Sequence, residues 1–468
     1  MVVRGDEVTE TRADGGEAAY RHLRTDIVLG RLAPGTKLGL DGLRGLYDAG
    51  VGTLREALNR LASEGLVLAE GQRGFTVAPV WAEDFQEIAD LRLLLERPAI
   101  RLSFAAGDLD WEGRVVGAHH KLAVLERKLL AGEAADAALW KRCDREFHHA
   151  LIQSCGSAVL LETYAAAYDR YLRYQMVAVV FRGAVAADQH AALLDCALTR
   201  DAARAGQVLE AHVAGCVDQV LRSHALAPFA ATRRRARAAG SATPRKEGVT
   251  GAVPETAGER AYRMIRSDIL RGTLEPGRKL KLDALRSAYD AGIGTLRETL
   301  SRLVAEHLVV AEGQQGFKVA AFSAAELREL AALRLLLEGH ALEQAFRAGD
   351  VEWEAHVVAA HHKLTQMEGR LLAGDAAALD AWRHFDAQFH QTLISACGSR
   401  TLMATHAAVF DRYQRYQNRA LGFRGAIATA EHAALREAAL KRDAGAARSV
   451  LDLHILGGVD HALASGTL

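Results

Sequence analysis

Two carboxylates and six imidazoles recur at matching places in this sequence. Asp144 and His148 stand four residues apart in CDREFHHAL, on one face of a helix. His190 in DQHAALL and His212 in EAHVAG follow, and Asp386, His390, His432 and His454 repeat the set. Imidazole nitrogen and carboxylate oxygen suit a divalent metal, zinc first, with nickel or manganese as alternatives. On a five- or six-coordinate ion, three His and one Asp leave positions open for water or an acid ligand. The competing reading is a set of hydrogen-bonded core histidines. A chain with 19 His produces coincidences: His119, His120, His361 and His362 also repeat, whereas His149, His384 and His406 do not.

The elements that must position these groups come twice. LDGLRGLYDAGVGTLREALNRLASEGLVLAEGQRGFTV starts at Leu40 and returns, with 26 of 38 positions identical, at Leu282. The same offset of 242 carries Tyr20 to Tyr262, Trp111 to Trp353, His148 to His390 and His212 to His454. This is one two-domain unit duplicated, since solenoid repeats have periods of roughly 20–50 residues. In each copy LAPG (Leu32–Gly35) or LEPG (Leu274–Gly277) marks a turn after a helix. GTLREALNRLASEGLV follows with Leu54, Leu58 and Leu61 at helical spacing, and GQRGFTV reads as a short hairpin. From Trp81 to about Leu221 only helix-like patterns occur.

Composition bounds the answer. Ala and Leu abound and there are 7 Pro, as in a helical protein. No apolar run reaches the roughly 18–20 residues of a membrane span, so no membrane partner is expected. Five Cys, an odd number without C-x-x-C spacing, argue against a disulfide framework and a thiolate zinc knuckle and fit a reducing cytoplasm. Formal net charge is zero, so any nucleic-acid site must be local. From Tyr20 to Arg60 seven Lys/Arg face four Asp/Glu, and from Tyr262 to Arg302 nine face five. Helix, turn, helix and hairpin is the layout of a winged helix-turn-helix, whose second helix enters the major groove.

The first part of each copy resembles the GntR family of bacterial regulators. The residues that carry this are Tyr20–Ile27, Leu32–Gly35, Thr53–Val67 and the wing GQRGFTV, repeated at Tyr262–Ile269, Leu274–Gly277, Thr295–Val309 and Gly313–Val319. Val51 and Ile293 stand where the family usually has an Arg, so one DNA contact is missing from each copy. The resemblance implies DNA contacts from Thr53, Arg55 and Arg60, with Thr295, Arg297 and Arg302 in the second copy. Arg44 and Arg286 are candidates for the phosphate backbone, and Arg73 for a minor groove. The alternative for each Arg is a merely solvated side chain on an exposed helix.

The helical part is similar to the FCD ligand-binding domain of FadR-type GntR regulators. The matching residues are Arg92–Glu96, the run Asp144–Gly156, His190, and the segment ending at His212. That likeness implies that the Asp and three His hold a divalent metal inside an all-helical bundle, with a small carboxylate as effector. Arg92 and Arg334 are candidates to fork onto that carboxylate, the alternative being an intrahelical Arg92–Glu96 pair at i, i+4. Tyr171, Arg173, Tyr413 and Arg415 are further ligand-binding candidates.

The fold class expected is mainly α, two copies of a winged helix-turn-helix followed by an all-helical FCD-like bundle. The boundaries are a disordered tail 1–17, winged helices 18–80 and 258–322, helical domains 81–222 and 323–464, and a linker 223–257. The function expected is sequence-specific binding of double-stranded operator DNA, modulated by a small organic acid at the metal. A metal-responsive regulator is the alternative. A metal-dependent hydrolytic enzyme ranks lower, because neither a general base nor a nucleophile motif accompanies the His set. Two recognition helices one helical turn apart need about 34 Å. A flexible linker of 35 residues reaches about 30–35 Å, so one chain is expected to form an intramolecular pseudo-dimer, with a homodimer as the alternative.

Overall fold

The computed structural model describes residues 15–69, 74–178, 181–229, 255–312, 316–420, 423–464 and 466. The first copy runs α1 (Gly15–Val28), β1 (Lys37–Leu38), α2 (Leu40–Tyr47), α3 (Val51–Ser63), β2 (Val67–Ala69), β3 (Phe75–Val77). Six helices follow: α4 (Ala82–Ala106), α5 (Leu109–Leu130), α6 (Ala137–Ile152), α7 (Ala158–Ala178), α8 (Ala184–Thr199) and α9 (Ala202–Arg222). The second copy repeats the order as α10 (Ala257–Arg271), β4 (Lys279–Leu280), α11 (Leu282–Tyr289), α12 (Ile293–Ala305), β5 (Val309–Ala311) and β6 (Phe317–Val319). Its helical part is α13 (Ala324–Ala348), α14 (Val351–Leu372), α15 (Leu379–Ile394), α16 (Arg400–Ala420), α17 (Ala426–Lys441) and α18 (Ala444–Ala464). Most of the expected tail and linker, residues 1–14 and 230–254, lies outside the described residues.

Contacts divide the chain into two compact units, and each draws on both copies. One holds the two winged helices. In the first of them, Leu23 and Ile27 of α1 and Leu54, Leu58 and Leu61 of α3 are buried together. Their three- and four-residue spacing puts them on facing stripes. Gly35 closes the LAPG turn at a φ of 81°, a conformation that an L side chain rarely adopts. The sheet order is β1-β3-β2, antiparallel, with Leu38 opposite Phe75 and Val67 opposite Val77. The sequence pattern indicated the β2–β3 hairpin but not β1, whose two residues are too few to show alternation. The second winged helix repeats this sheet as β4-β6-β5. Helices α3 and α12 lie against one another, and Arg55 Nη1 is 3.9 Å from Glu298 Oε1. The two recognition helices of one chain are thus adjacent, closer than the about 34 Å of one DNA turn. Packing between the copies, rather than linker reach, sets the distance.

The other unit holds the two helical bundles. Asp108 caps α5 by accepting from the Trp111 N–H at 2.8 Å, and Asp350 does the same for Trp353 at 2.9 Å. The indole N–H of Trp111 donates to the Ala150 carbonyl at 2.8 Å, which ties α5 to α6. A Cβ on Gly107 would sit 2.4 Å from this indole ring, so the glycine is required by the close approach.

The two bundles are joined by a reciprocal device. Ser157 caps α7, and Glu329 of α13 accepts from both the Ser157 hydroxyl and the Val159 N–H at 3.0 Å. At the symmetry-related place Ser399 caps α16, and Glu87 of α4 accepts from the Ser399 hydroxyl at 3.2 Å and the Thr401 N–H at 2.9 Å. A carboxylate from each copy thus sits at the positive end of a helix of the other. The same patch meets itself, as in an isologous dimer interface.

Candidate functional site

Helix geometry assembles the His set. Asp144 and His148 project from one face of α6, His190 comes from α8 and His212 from α9. One ligand atom from each residue lies within 4.8 Å of the others, and all four residues are buried; Asp386, His390, His432 and His454 form the equivalent cluster. The structure brings these eight residues together as two clusters of four, one in each copy.

The rings are held by their far nitrogens. His148 Nδ1 is 2.8 Å from Glu96 Oε1, and His190 Nδ1 is 2.7 Å from Glu126 Oε1. In the second copy His390, His432 and His454 reach Glu338, Glu368 and Glu431 at 2.5, 2.6 and 2.8 Å. A carboxylate on Nδ1–H leaves Nε2 unprotonated and aimed inward, the arrangement found behind metal-ligating histidines. Nε2 of His148 and of His390 is buried without a hydrogen-bond partner, a costly state for a polar atom unless something else occupies it. The residues present therefore fit a divalent ion. Of the carboxylates behind the rings the sequence pointed only to Glu96, as a partner of Arg92; Glu431 lies 23 residues from His454, while Glu126 and Glu368 lie 64 residues from their histidines. Their only signal is recurrence at the common offset.

Electrostatics agree with this fit. Burial drives His212 well below its usual range, with His190 and His148 adding to it. Burial likewise lowers His454 to about 3. His148 and His390 are lowered by burial too. Burial opposes protonation of His432, but hydrogen bonds to Asp386 and Glu368 overcome it and raise the ring to about 9. His190 is raised in the same way by Asp144 and Glu126. A positive charge is favoured between these carboxylates, and neutral imidazoles surround it.

The ligand candidates separate into three groups. Arg92 is fully buried, with Nε 2.8 Å from Glu96 and Nη2 3.1 Å from His148 Nδ1; Arg334 pairs with Glu338 at 2.8 Å. Both are committed to the carboxylates behind the histidine cluster. Tyr171 and Tyr413 lie under these guanidiniums, with ring centres 4.7 and 5.0 Å away. Arg173 and Arg415 are placed beside Tyr174 and Tyr416 instead, where burial lowers Arg173 to about 10. A small cavity next to Asp386 and His454 is lined by Trp382, Tyr413, Gln417 and Arg424. Arg424 was not among the residues singled out in the sequence; only its recurrence, with Arg182, could have found it.

The winged helices place their cations in two ways. Arg44, Arg55, Arg286 and Arg297 are exposed, and Thr53 and Thr295 are half-buried at the starts of α3 and α12. Gly50 and Gly292 cap these helices without a side-chain hydrogen bond, so their first N–H groups are left for another acceptor. Arg60 and Arg302 are turned inward. Their guanidiniums stack on Tyr20 and Tyr262 at 3.6 and 3.5 Å and pair with Glu17 and Glu259. Arg73 lies outside the described residues.

Comparison with known proteins matches this architecture. The description "Bacterial regulatory proteins, gntR family" fits residues 16–77 and 257–319, and "FCD domain" fits 87–215 and 329–457. One relative is the "Uncharacterized HTH-type transcriptional regulator BphR" of Paraburkholderia xenovorans (strain LB400). It is 36% identical over 206 residues, which span 44% of this chain and 84% of the relative. The "HTH-type transcriptional repressor GlaR" of Escherichia coli (strain K12) is 36% identical over 205 residues, 42% of this chain and 90% of its own length. Among solved structures, "E. coli McbR/YncC" aligns at 18% identity and a TM-score of 0.41, covering 45% of this chain and 99% of that one. Each relative corresponds to one copy. The relatives are transcription regulators, not enzymes, and this chain is a DNA-binding transcription regulator of the GntR family that carries the winged helix and the FCD domain twice in tandem.

Proposed function

We propose that this regulator binds operator DNA through Arg55, Arg297 and the exposed starts of α3 and α12. We further propose that a small organic acid, bound beside a divalent metal in the helical domain, changes its operator affinity. The observation that carries the ligand half is the pair of buried clusters whose histidines present unpartnered Nε2 atoms. Asp386, His390, His432 and His454 would hold the metal in the second copy, and Asp144, His148, His190 and His212 in the first. A bound ion supplies an open coordination position for a carboxylate oxygen. Arg424 and Gln417 in the adjoining cavity are suited to the acid's other end.

On the DNA side, Arg44 and Arg286 serve the phosphate backbone. Arg60 and Arg302 hold α1 and α10 against the recognition helices. Because α3 and α12 are in contact, the two recognition sequences of one chain are expected close together, within one major-groove face. The reciprocal Glu87 and Glu329 caps support one chain acting as its own dimer.

Operator binding is tested by anisotropy on the upstream DNA of the gene, with nonspecific competitor and varied salt. Tight binding that survives competitor and falls steeply with salt is expected. Binding no tighter than to random DNA would remove the operator role. Adding zinc and a panel of dicarboxylates to the same assay is expected to shift the affinity. The acid must bind the two states of the protein differently to do so. A shift with zinc alone would favour the metal itself as the signal, and no shift with either would end the acid-sensor reading.

A further inference from the structure

The two clusters share their four ligating residues but not what stands behind them. In the second copy all three histidines rest on carboxylates, Glu338, Glu368 and Glu431. In the first copy the residue equivalent to Glu431 is Gln189, an uncharged amide 3.2 Å from His212 Nδ1. The same Nδ1 is also 3.0 Å from Arg182 Nη2, a donor. An amide oxygen and a guanidinium thus compete for one ring nitrogen. If the guanidinium donates, the proton of neutral His212 is forced onto the nitrogen that must ligate. In the second copy Arg424 Nη2 likewise stands 3.3 Å from His454 Nδ1, but there the Glu431 carboxylate, 2.8 Å from the same nitrogen, takes the Nδ1 proton and binds Arg424 besides.

The ligating carboxylates differ in the same direction. Asp144 Oδ2 already accepts from the Tyr168 hydroxyl at 3.0 Å and lies 3.5 Å from the buried Lys141 ammonium. The equivalents of these two residues are Phe410, which has no hydroxyl, and Arg383. Arg383 is directed elsewhere, to Asp380 at 3.2 Å and the Asn418 carbonyl at 2.7 Å. The first cluster thus sets Asp144, Glu96 and Glu126 against Arg92, Lys141 and Arg182, a formal balance. The second sets Asp386, Glu338, Glu368 and Glu431 against Arg334 and Arg424, an excess of two formal negative charges, with the His406 imidazole 3.2 Å from Glu338 as a further partner.

We infer that the two metal sites are unequal, and that the second copy, around Asp386, binds a divalent cation at least ten-fold more tightly than the first, around Asp144. This rests on the proposal that the clusters hold a metal. An ion brought into a buried site is favoured by uncompensated negative charge and opposed by a nearby ammonium. A carboxylate behind a ligating histidine is worth about 10–100-fold in metal affinity. Lys141 and Gln189 are the residues of this chain that lower the first site.

The test is a titration of the metal-stripped full-length chain with Zn²⁺ against a chromophoric chelator, which reads affinities without any activity. Two sites per chain are expected, separated by ten-fold or more. Asp144→Ala should leave the tight site and Asp386→Ala the weak one, with circular dichroism checking that each variant folds. The exchanges Gln189→Glu and Glu431→Gln keep side-chain shape and guard against misfolding. The first should tighten the weak site and the second loosen the tight one, each by about ten-fold. Two equal affinities, or the tight site surviving Asp386→Ala, would overturn the inference and leave the metal reading standing. No zinc bound at either site would overturn both.

Discussion

Glu96 and Arg92 show how much one buried pair does. Each is fully buried, and Glu96 bonds both Arg92 and His148. Burial works to raise the Glu96 carboxyl, yet Arg92 and His148 overcome it and hold it near 2. Replacing Glu96 by Gln leaves Arg92 buried and uncompensated. A loss of about 3–5 kcal/mol is expected, read as a lower urea midpoint with unchanged m-value. An unchanged midpoint would mean that Arg92 finds another partner or reaches water. The DNA-contacting candidates divide at the same scale. Arg55→Ala should weaken operator binding by about 1–3 kcal/mol if the contact is to a base, without altering the melting temperature, because Arg55 is exposed. Arg60→Ala should instead lower the melting temperature, since its guanidinium packs on Tyr20. If anisotropy and melting showed the reverse assignment, the roles given to these two arginines would be wrong. The sequence marked both as cations on one helix. It could not show that Arg60 folds back onto an aromatic ring forty residues earlier.

Helix starts carry much of the positioning. Gly183 and Gly425 precede α8 and α17, with φ near 63° and ψ near −145°, a region essentially closed to L side chains. These helices carry His190 and His432. Gly425→Ala is expected to cost about 1–3 kcal/mol and to loosen the metal site proposed for the second copy, measured by thermal melting and chelator competition. Full retention of both would show that the turn can be reached another way. What was legible at this scale followed from periodicity. The leucines of α3 and the four-residue step from Asp144 to His148 give helix faces directly. The two-residue strand β1 and the carboxylates from distant helices have no local pattern, because only tertiary packing brings them to their partners. Linker length likewise bounds the distance between the recognition helices but does not choose it.

For the whole molecule, the reciprocal caps make a definite prediction. If one chain satisfies its own interface, light scattering after size exclusion should give a mass near 50.5 kDa, and one chain should saturate one operator. A mass twice as large would show that each copy pairs with a copy from another chain. Glu87→Ala together with Glu329→Ala removes both caps. That pair of changes should cost about 1 kcal/mol or more per cap, measured as a lower melting temperature.

The interface is not perfectly even. Arg412 reaches Glu162 at 3.4 Å, whereas its equivalent Arg170 meets Thr401, and the position equivalent to Glu162 is Ala404. In a dimer of identical subunits any inherited substitution appears on both sides at once, so a change useful on one side and harmful on the other is removed by selection. Fusing the partners into a single gene lifts that restriction. Each half can then drift alone while the other preserves the join, and the lineage can explore lopsided regulators that a symmetric ancestor could not.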